Sequence, residues 1–342
     1  QDHYLNLSGG TEKATFNIGV GYADMDGTAI TTNYKRFTTN MNGRLKVNDR
    51  LFVFAGLNFT RSSDNLVYSE NSLFERSIAT PPTAKYTFED GTLSPGVNRS
   101  LGNPAYHLNR STNDNTLSLM TLSGGANWEI APGLSFEPSV SLFSKTNTAN
   151  TFLMSYLNSP TQLVESRNAT GSQTNWEQLQ LDAVLNYEKS FAQQHNFTAT
   201  LGYSKGKQLI LGYFGRANYD FDNKYLVSVS ARYDGASNLG SEYKWGFFPG
   251  VSAGWNLHNE SFWDSPAAID KFKLRASYGL NGNLGNLGDF QAQGAYSVGG
   301  IYQGNAAVEY TTIANPNLKW EQSRTFDVGF DAGLFNNRVT VL

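Results

Sequence analysis

Tyr225-Leu-Val-Ser-Val-Ser-Ala-Arg-Tyr-Asp234 alternates without a slip. Tyr225, Val227, Val229, Ala231 and Tyr233 fall on one face, and Ser228, Ser230, Arg232 and Asp234 on the other. That period of two belongs to a strand with one apolar and one polar side, whereas a helix would spread the same residues around its circumference.

The alternation continues in both directions. Downstream, Pro249, Val251, Ala253, Trp255 and Leu257 oppose Ser252, Gly254, Asn256 and His258. Phe272, Leu274, Ala276 and Tyr278 oppose Lys273, Arg275, Ser277 and Gly279, and Phe326, Val328, Phe330, Ala332 and Leu334 oppose Thr325, Asp327, Gly329, Asp331 and Gly333. Upstream, the apolar sets are Ala14 to Tyr22, Leu51 to Phe59, Leu134 to Leu142 and Leu179 to Tyr187, taken at every second residue. No helix-period stripe competes with them.

The connections are of two kinds. Tight ones stand at Gly9-Gly10, Asn48-Asp49, Ala131-Pro132-Gly133, Asp222-Asn223 and Asn336-Asn337, with slightly longer ones at Ser190 to His195 and His258 to Asp270. These carry turn-forming residues. Between them lie longer Asn-, Ser-, Thr- and Gly-rich segments at 23–34, 62–115, 145–176, 235–246 and 281–320. The count comes to about fourteen strands in up-and-down order, with tight turns at one end and long loops at the other. Tyr219, Phe221 and Tyr225, and again Trp255, Phe262 and Trp263, cluster near the tight turns as an aromatic girdle would. The expected fold class is all-β: a transmembrane antiparallel up-and-down β-barrel. A soluble antiparallel sheet with one solvated face shows the same alternation. Long strands, and loop length that depends on which end is turned, favour the barrel. A propeller would repeat about every 40 residues, and no such period is present.

Composition agrees. The 342 residues include 18 Tyr, 22 Phe and 33 Gly, with 16% charged residues, so strand formers abound in a chain that is polar on average. A net charge of −3, with Lys and Arg scattered, gives no footprint for nucleic acid. There is no Cys, which excludes disulfides and thiolate metal sites. Apolar stretches such as Leu209 to Phe214 fall far short of the roughly 20 residues of a transmembrane helix, so any spanning is done by strands. The chain opens at Gln1 without a charged and apolar leader, and an export signal is expected to lie outside this sequence.

Motifs for chemistry are weak. Gly202-Tyr-Ser204-Lys-Gly206 matches the nucleophile pattern of hydrolases, but that elbow needs a strand, a sharp turn and a helix, and no helical pattern follows. His3, His107, His195 and His258 are isolated and lack the i, i+4 spacing of a helical metal pair. Asp24-Met-Asp26-Gly27 begins like a calcium loop without its later ligands. No catalytic residue, metal or cofactor is expected. The informative residues are on the polar face: Arg232, Asp234, Asn256, Arg275, Asp327 and Asp331, beside Lys273. A charge facing lipid near the midplane would cost about 2–4 kcal/mol, so they are expected to face a wet or protein-filled lumen. Each either contacts substrate or simply solvates the wall.

From Gly215 onward the wording becomes distinctive: Gly215-Arg-Ala-Asn-Tyr-Asp220; Lys224-Tyr-Leu, followed by Ala231-Arg-Tyr-Asp-Gly-Ala-Ser-Asn-Leu-Gly240; Trp245-Gly-Phe-Phe-Pro-Gly-Val-Ser-Ala-Gly-Trp255; Lys273-Leu-Arg-Ala-Ser-Tyr-Gly-Leu-Asn-Gly-Asn283; and Asn315-Pro-Asn-Leu-Lys-Trp-Glu321. This ordered set resembles the SusC/RagA family of TonB-dependent outer-membrane transporters, and Leu7-Ser-Gly-Gly10 resembles it more loosely. The resemblance implies a twenty-two-stranded barrel with an N-terminal plug, a TonB box and a SusD-like surface lipoprotein that captures glycans or peptides. It also implies the cell outer membrane of a Gram-negative, Bacteroidetes-type bacterium. Against that pattern, residues 1–342 hold a single partial barrel domain, with plug, TonB box and roughly the last third of the strands lying elsewhere. The Lys205 to Leu211 connection is short for the family.

The function the resemblance implies is TonB-dependent import of an oligomeric nutrient, with no enzymatic activity. The alternative is a passive porin or adhesin-type barrel, which needs no plug. The expected partners are the SusD-like lipoprotein, TonB through a segment outside this chain, an oligosaccharide or peptide substrate and outer-membrane lipid. Tyr243, Trp245, Tyr302, Tyr310 and Trp320 are expected in loops, where they suit stacking on sugar faces, loop packing or lipoprotein contact. Val227, Val229, Val251, Phe272, Leu274, Val328 and Phe330 are expected to face lipid.

Overall fold

A computed structural model describes the chain apart from residues 68–69, 97–101, 109, 160, 166, 207–209, 264–268, 286, 337 and 342, and apart from the side chains of 70–72, 107, 158–159 and 302. Eighteen strands follow in chain order: β1 (Asp2–Gly10), β2 (Ala14–Asp26), β3 (Asn33–Asn48), β4 (Leu51–Asn65), β5 (Ser111–Ala131), β6 (Leu134–Leu153), β7 (Tyr156–Ser159), β8 (Gln162–Val164) and β9 (Asn168–Phe191), then β10 (His195–Lys205), β11 (Leu211–Phe221), β12 (Tyr225–Gly235), β13 (Trp245–Asn256), β14 (Ile269–Asn283), β15 (Ala295–Tyr302), β16 (Asn305–Thr312), β17 (Glu321–Leu334) and β18 (Val339–Val341). Fourteen form one antiparallel sheet in the order β1-β2-β3-β4-β5-β6-β9-β10-β11-β12-β13-β14-β17-β18, while β7–β8 and β15–β16 are separate hairpins. The fourteen strands and the all-β class match the alternation. β5, β6 and β9 run to 21, 20 and 24 residues, about twice what a tilted strand needs to cross a bilayer.

The chain resolves into two compact units, residues 1–46, 54–124 and 141–178 in one, and 47–53, 125–140 and 179–342 in the other. In the first, antiparallel register aligns Leu7, Ile18 and Met41, then His3, Tyr22 and Phe37, across β1, β2 and β3. The 62–115 segment contains structure the alternation does not signal: α1 (Glu70–Ala79) and α2 (Pro104–Leu108). Its interior is small and polar. Asn103 is buried and donates from Nδ2 to the Tyr86 carbonyl at 2.8 Å, and Ser94 N–H donates to the same carbonyl at 2.9 Å. The Arg110 guanidinium lies 3.8 Å from the Tyr156 ring centre and 4.9 Å from that of Tyr106. Burial pulls its pKa down to about 10.

In the second unit, the apolar residues line up from strand to strand. Ala217, Val229, Val251, Tyr278 and Phe326 form one row across β11 to β17, and Tyr219, Val227, Ala253, Ala276 and Val328 the next. Val227, Val229, Val251 and Val328 are 43%, 53%, 47% and 70% exposed. Among the described residues the buried hydrophobics are only Ala23, Ala236, Leu239, Phe248, Ala292 and Ala332. Large apolar side chains outside and few inside invert the arrangement of a water-soluble domain, and suit a face that meets hydrocarbon. We call this the outer face and its opposite the polar face.

Connections of three, three and four residues join β9 to β10, β11 to β12 and β17 to β18. Ala192-Gln193, Asp222-Asn223 and Phe335-Asn336 all have φ between 50° and 58°, the conformation of turns whose twist matches that of the flanking strands. The Asn336-Asn337 turn falls within this last connection, where Arg338 N–H bonds the Phe335 carbonyl at 3.4 Å; Asn337 itself is outside the described residues. Of the Lys205 to Leu211 connection, Gly206 N–H bonds the Ile210 carbonyl at 3.0 Å, and the residues between them lie outside the described set.

Along the turn end, outer-face rings form a chain. Phe191 stacks on His195 at 4.9 Å, His195 meets Phe221 at 5.0 Å, and Phe221, Tyr225 and Trp255 follow at 6.3 Å spacing. Phe262 closes on Trp255 edge-on at 6.4 Å. Of the rings read as a girdle, Phe221, Tyr225, Trp255 and Phe262 are thus contiguous and Tyr219 joins through His195 at 6.0 Å, while Trp263 stacks on Phe272 at 5.8 Å.

Candidate functional site

The polar face of β10 to β17 is built by the same registers that align the apolar one. Thr198, Asn218, Ser228, Ser252, Ser277 and Asp327 form one row, and Asp220, Leu226, Gly254, Arg275 and Gly329 run beside it. Small residues in these rows leave a concavity of about 530 Å³ lined by Asn218, Ser228, Ser252, Lys273, Arg275 and Asp327 among others.

Amides and hydroxyls knit the wall. Asn218 Nδ2 donates to Thr198 Oγ1 at 2.9 Å, Arg216 Nε donates to Ser228 Oγ at 3.1 Å and to Asn218 Oδ1 at 3.0 Å, and Thr200 Oγ1 donates to Asn186 Oδ1 at 2.9 Å. Arg216 and this amide ladder were not singled out from sequence. Their signal was available, since Arg216 and Asn218 share the parity that set Arg232 apart.

The six sequence-predicted wall residues all lie on β12, β13, β14 and β17, in four different settings. Arg232 and Asp234 are two apart on one strand and form a two-point pair, Nε to Oδ2 and Nη2 to Oδ1, both at 3.0 Å. Asp234 is only 8% exposed, and the guanidinium also lies 5.3 Å from the Phe214 ring centre. Arg275 donates from Nε to Asp331 Oδ1 at 2.9 Å. Asp327 is exposed opposite Ser277, at the end of the hydroxyl row. Asn256 is engaged elsewhere: its Nδ2 donates to the Asn223 carbonyl at 2.7 Å, tying β13 to the β11–β12 turn.

The aromatic candidates separate. Trp245, expected in a loop, is the first residue of β13 and stacks on Tyr233 at 4.7 Å on the outer face, because the alternation runs on to residue 245. Tyr302 and Tyr310, also expected in a loop, belong to β15 and β16. Tyr310 packs on Tyr296 at 4.4 Å with both rings largely exposed. The Tyr302 side chain lies outside the described residues. Trp320 donates from Nε1 to the Lys244 carbonyl at 3.0 Å and meets Phe248 edge-on at 5.3 Å. Tyr243 is in the same loop region, its N–H on the Gly240 carbonyl at 2.9 Å. Gly240 N–H in turn bonds the Leu318 carbonyl at 2.9 Å, so the 236–244 and 315–320 segments form one clamped block.

Chemically, the described residues of this wall offer hydroxyls, amides and paired charges. Among the described residues no cluster of His, Asp or Glu could hold a metal ion. Among the described residues no helix is long and apolar enough to cross a membrane.

Comparison with known proteins adds the family. The profile described as TonB dependent receptor-like, beta-barrel matches residues 2–341. The chain is 26% identical over 383 residues to TonB-dependent receptor P39 of Formosa agariphila, an alignment covering 98% of this chain and 36% of that protein. It is 24% identical over 414 residues to TonB-dependent receptor SusC of Bacteroides thetaiotaomicron, covering 99% of this chain and 40% of SusC. Its fold is similar to a chain in the structure of the RagAB peptide transporter, with a TM-score of 0.80 at 20% identity, covering 99% of this chain and 43% of that one. The chain thus spans well under half the length of these relatives.

Proposed function

We propose, on the premise that this chain belongs to the TonB-dependent receptor β-barrel family, that it forms part of the wall of an outer-membrane importer of oligomeric nutrients. The observation that carries the reading is the strict division of the sheet. A row of exposed apolar residues meets lipid on one side, and a row of hydroxyls, amides and paired charges lines a wet passage on the other. Similarity to SusC and to the RagAB peptide transporter supports a substrate that is an oligosaccharide or a peptide, and a SusD-like lipoprotein as the surface partner. A polar wall with many weak, exchangeable hydrogen bonds suits passage, which requires that binding remain weak enough to release.

The Arg232, Asp234, Arg275, Asp327 and Asp331 carboxylates and guanidinia are the proposed selectivity elements of this wall, and Asn256 fixes a turn. The long-loop end, with the exposed Tyr296 and Tyr310 on β15–β16, is proposed to lie outside the cell. Energy enters through TonB, acting on a coupling segment of the whole receptor.

Labelled-substrate uptake by cells expressing the whole receptor, with and without its TonB-binding segment, tests the reading. Accumulation should vanish without the segment while surface binding persists. Equal uptake in both strains would leave a passive porin, the alternative function for the same barrel.

A further inference from the structure

Glu260 is the anomaly of the turn end. It lies in the β13–β14 connection, yet its carboxylate turns onto the outer face, where Trp255 Nε1 donates to Oε1 at 2.9 Å and the Tyr225 hydroxyl also donates to it. Tyr225 and Trp255 are successive rings of the girdle, and Phe262 stands edge-on to Trp255. A carboxylate is thus held inside an aromatic bracket, on a face otherwise devoted to hydrocarbon. Two donors occupy part of its acceptor capacity, and a carboxylate has about four lone-pair sites.

The surrounding charges do not neutralise it. Lys224 pairs with Asp222 at 2.9 Å, and among the described residues no cation stands within ion-pair distance of Glu260. The three groups therefore sum to one net negative charge at the rim. The two neutral donors and the Lys224 field hold the Glu260 carboxyl below its ordinary range, so it is charged at any physiological pH. Aromatic faces beside a carboxylate are the standard recognition chemistry for an alkylammonium.

We propose that Glu260, with Tyr225, Trp255 and Phe262, binds the ammonium group of an aminophospholipid headgroup at the turn-end rim of the sheet. The occupant is a lipid because the rings belong to the outer face, whose neighbouring rows are exposed Val227, Leu274 and Val328, and because the carboxylate sits at the rim of that face. The acyl chains lie along the apolar rows while the headgroup reaches the carboxylate. The site would anchor the barrel to the leaflet in which such lipids reside, and so set its depth. The inference rests on the lipid-facing assignment of the outer face.

The test uses the whole receptor, purified in mild detergent and reconstituted in nanodiscs containing equal amounts of phosphatidylethanolamine and phosphatidylglycerol. Lipid retained on the released protein is then counted by native mass spectrometry. Retention of phosphatidylethanolamine over phosphatidylglycerol is expected in the wild type, falling about fivefold in Glu260→Gln. Gln keeps an acceptor for Trp255, so folding is preserved, and heat-modified electrophoretic mobility checks it. No preference in the wild type, or an unchanged preference in Glu260→Gln, overturns the proposal. Water labelling of Val229→Cys is the separate control: labelling there would remove the lipid-facing assignment itself, whereas a protected Val229→Cys with no headgroup preference removes only the Glu260 site.

Discussion

Arg275 and Asp331 are joined diagonally. In register Arg275 faces Gly329 and Asp331 faces Lys273, yet Arg275 Nε reaches Asp331 Oδ1 at 2.9 Å. Gly329 makes this possible, since a Cβ there would stand 3.2 Å from Arg275 Cζ. Gly329→Leu is expected to push the guanidinium aside and break the pair. The Arg275 side chain is half exposed, so the stability change from the lost pair should be at most about 1 kcal/mol. Substrate affinity should change far more than the urea midpoint. Unaltered affinity by calorimetry would take the pair out of the substrate path.

The register makes a sharper prediction at Val229 and Ser230, which are neighbours on opposite faces of β12. In membranes, Ser230→Cys should react with a water-borne maleimide, and Val229→Cys should stay protected. Because a one-residue slip inverts every side chain of a strand, equal labelling would refute the pairing of the whole β11–β14 block.

The loop clamp is open to a volume test. Phe248 is buried, and a Cβ on Gly282 would collide with its ring. Gly282→Val should overpack this point, costing about 1–3 kcal/mol locally. It should also release the edge-on Trp320 contact. Limited proteolysis would read this as faster cleavage between 236 and 244, with the strands left intact. Trp320→Ala should give the same cleavage pattern through loss of the Lys244 bond.

Acid should act on the turn-end rim late, below the ordinary carboxylate range. The Glu260 carboxyl is lowered in the folded protein, so its contribution is complete above the free value of about 4.3 and lost as pH falls through the lowered folded value. Trp255 emission is therefore expected to hold steady from neutral pH down to about 4.3 and to shift below it. In Glu260→Gln that transition should disappear. A Trp255 transition near neutrality would contradict the assignment.

Much of this was legible in sequence because a strand with two solvents has a period of two, which β12 and β17 keep and β14 keeps from Lys271 onward, after a register shift at its start. Where two large apolar residues are adjacent, parity becomes ambiguous. Phe247-Phe248 is such a place, and Phe248 turns to the polar face because Gly246 and Gly282 leave room for its ring. The β15–β16 hairpin was hidden for a related reason: its register shifts next to Gly300, so its residues do not keep phase. The polar face of Arg232, Asp234, Arg275, Asp327 and Asp331 could be read, but their partners could not. Arg275 and Asp331 are 56 residues apart, and Trp320 and Lys244 are 76, distances at which only the folded register decides who meets. Asn256 shows the converse, because parity places it beside the wall while its amide is occupied by the Asn223 carbonyl.

The short turns through Ala192-Gln193, Asp222-Asn223 and Phe335-Asn336 bear on how the sheet assembles in time. Each joins strands that are neighbours in the chain, so closing a hairpin requires only a short loop and little lost chain entropy. The β14–β17 pairing is different, since the whole β15–β16 hairpin must be looped out before those strands can meet. Local hairpins should therefore form early, and the β14–β17 seam late. A chain arrested before that seam closes would present β14 as an open edge, the form on which a folding catalyst or an aggregating neighbour could act.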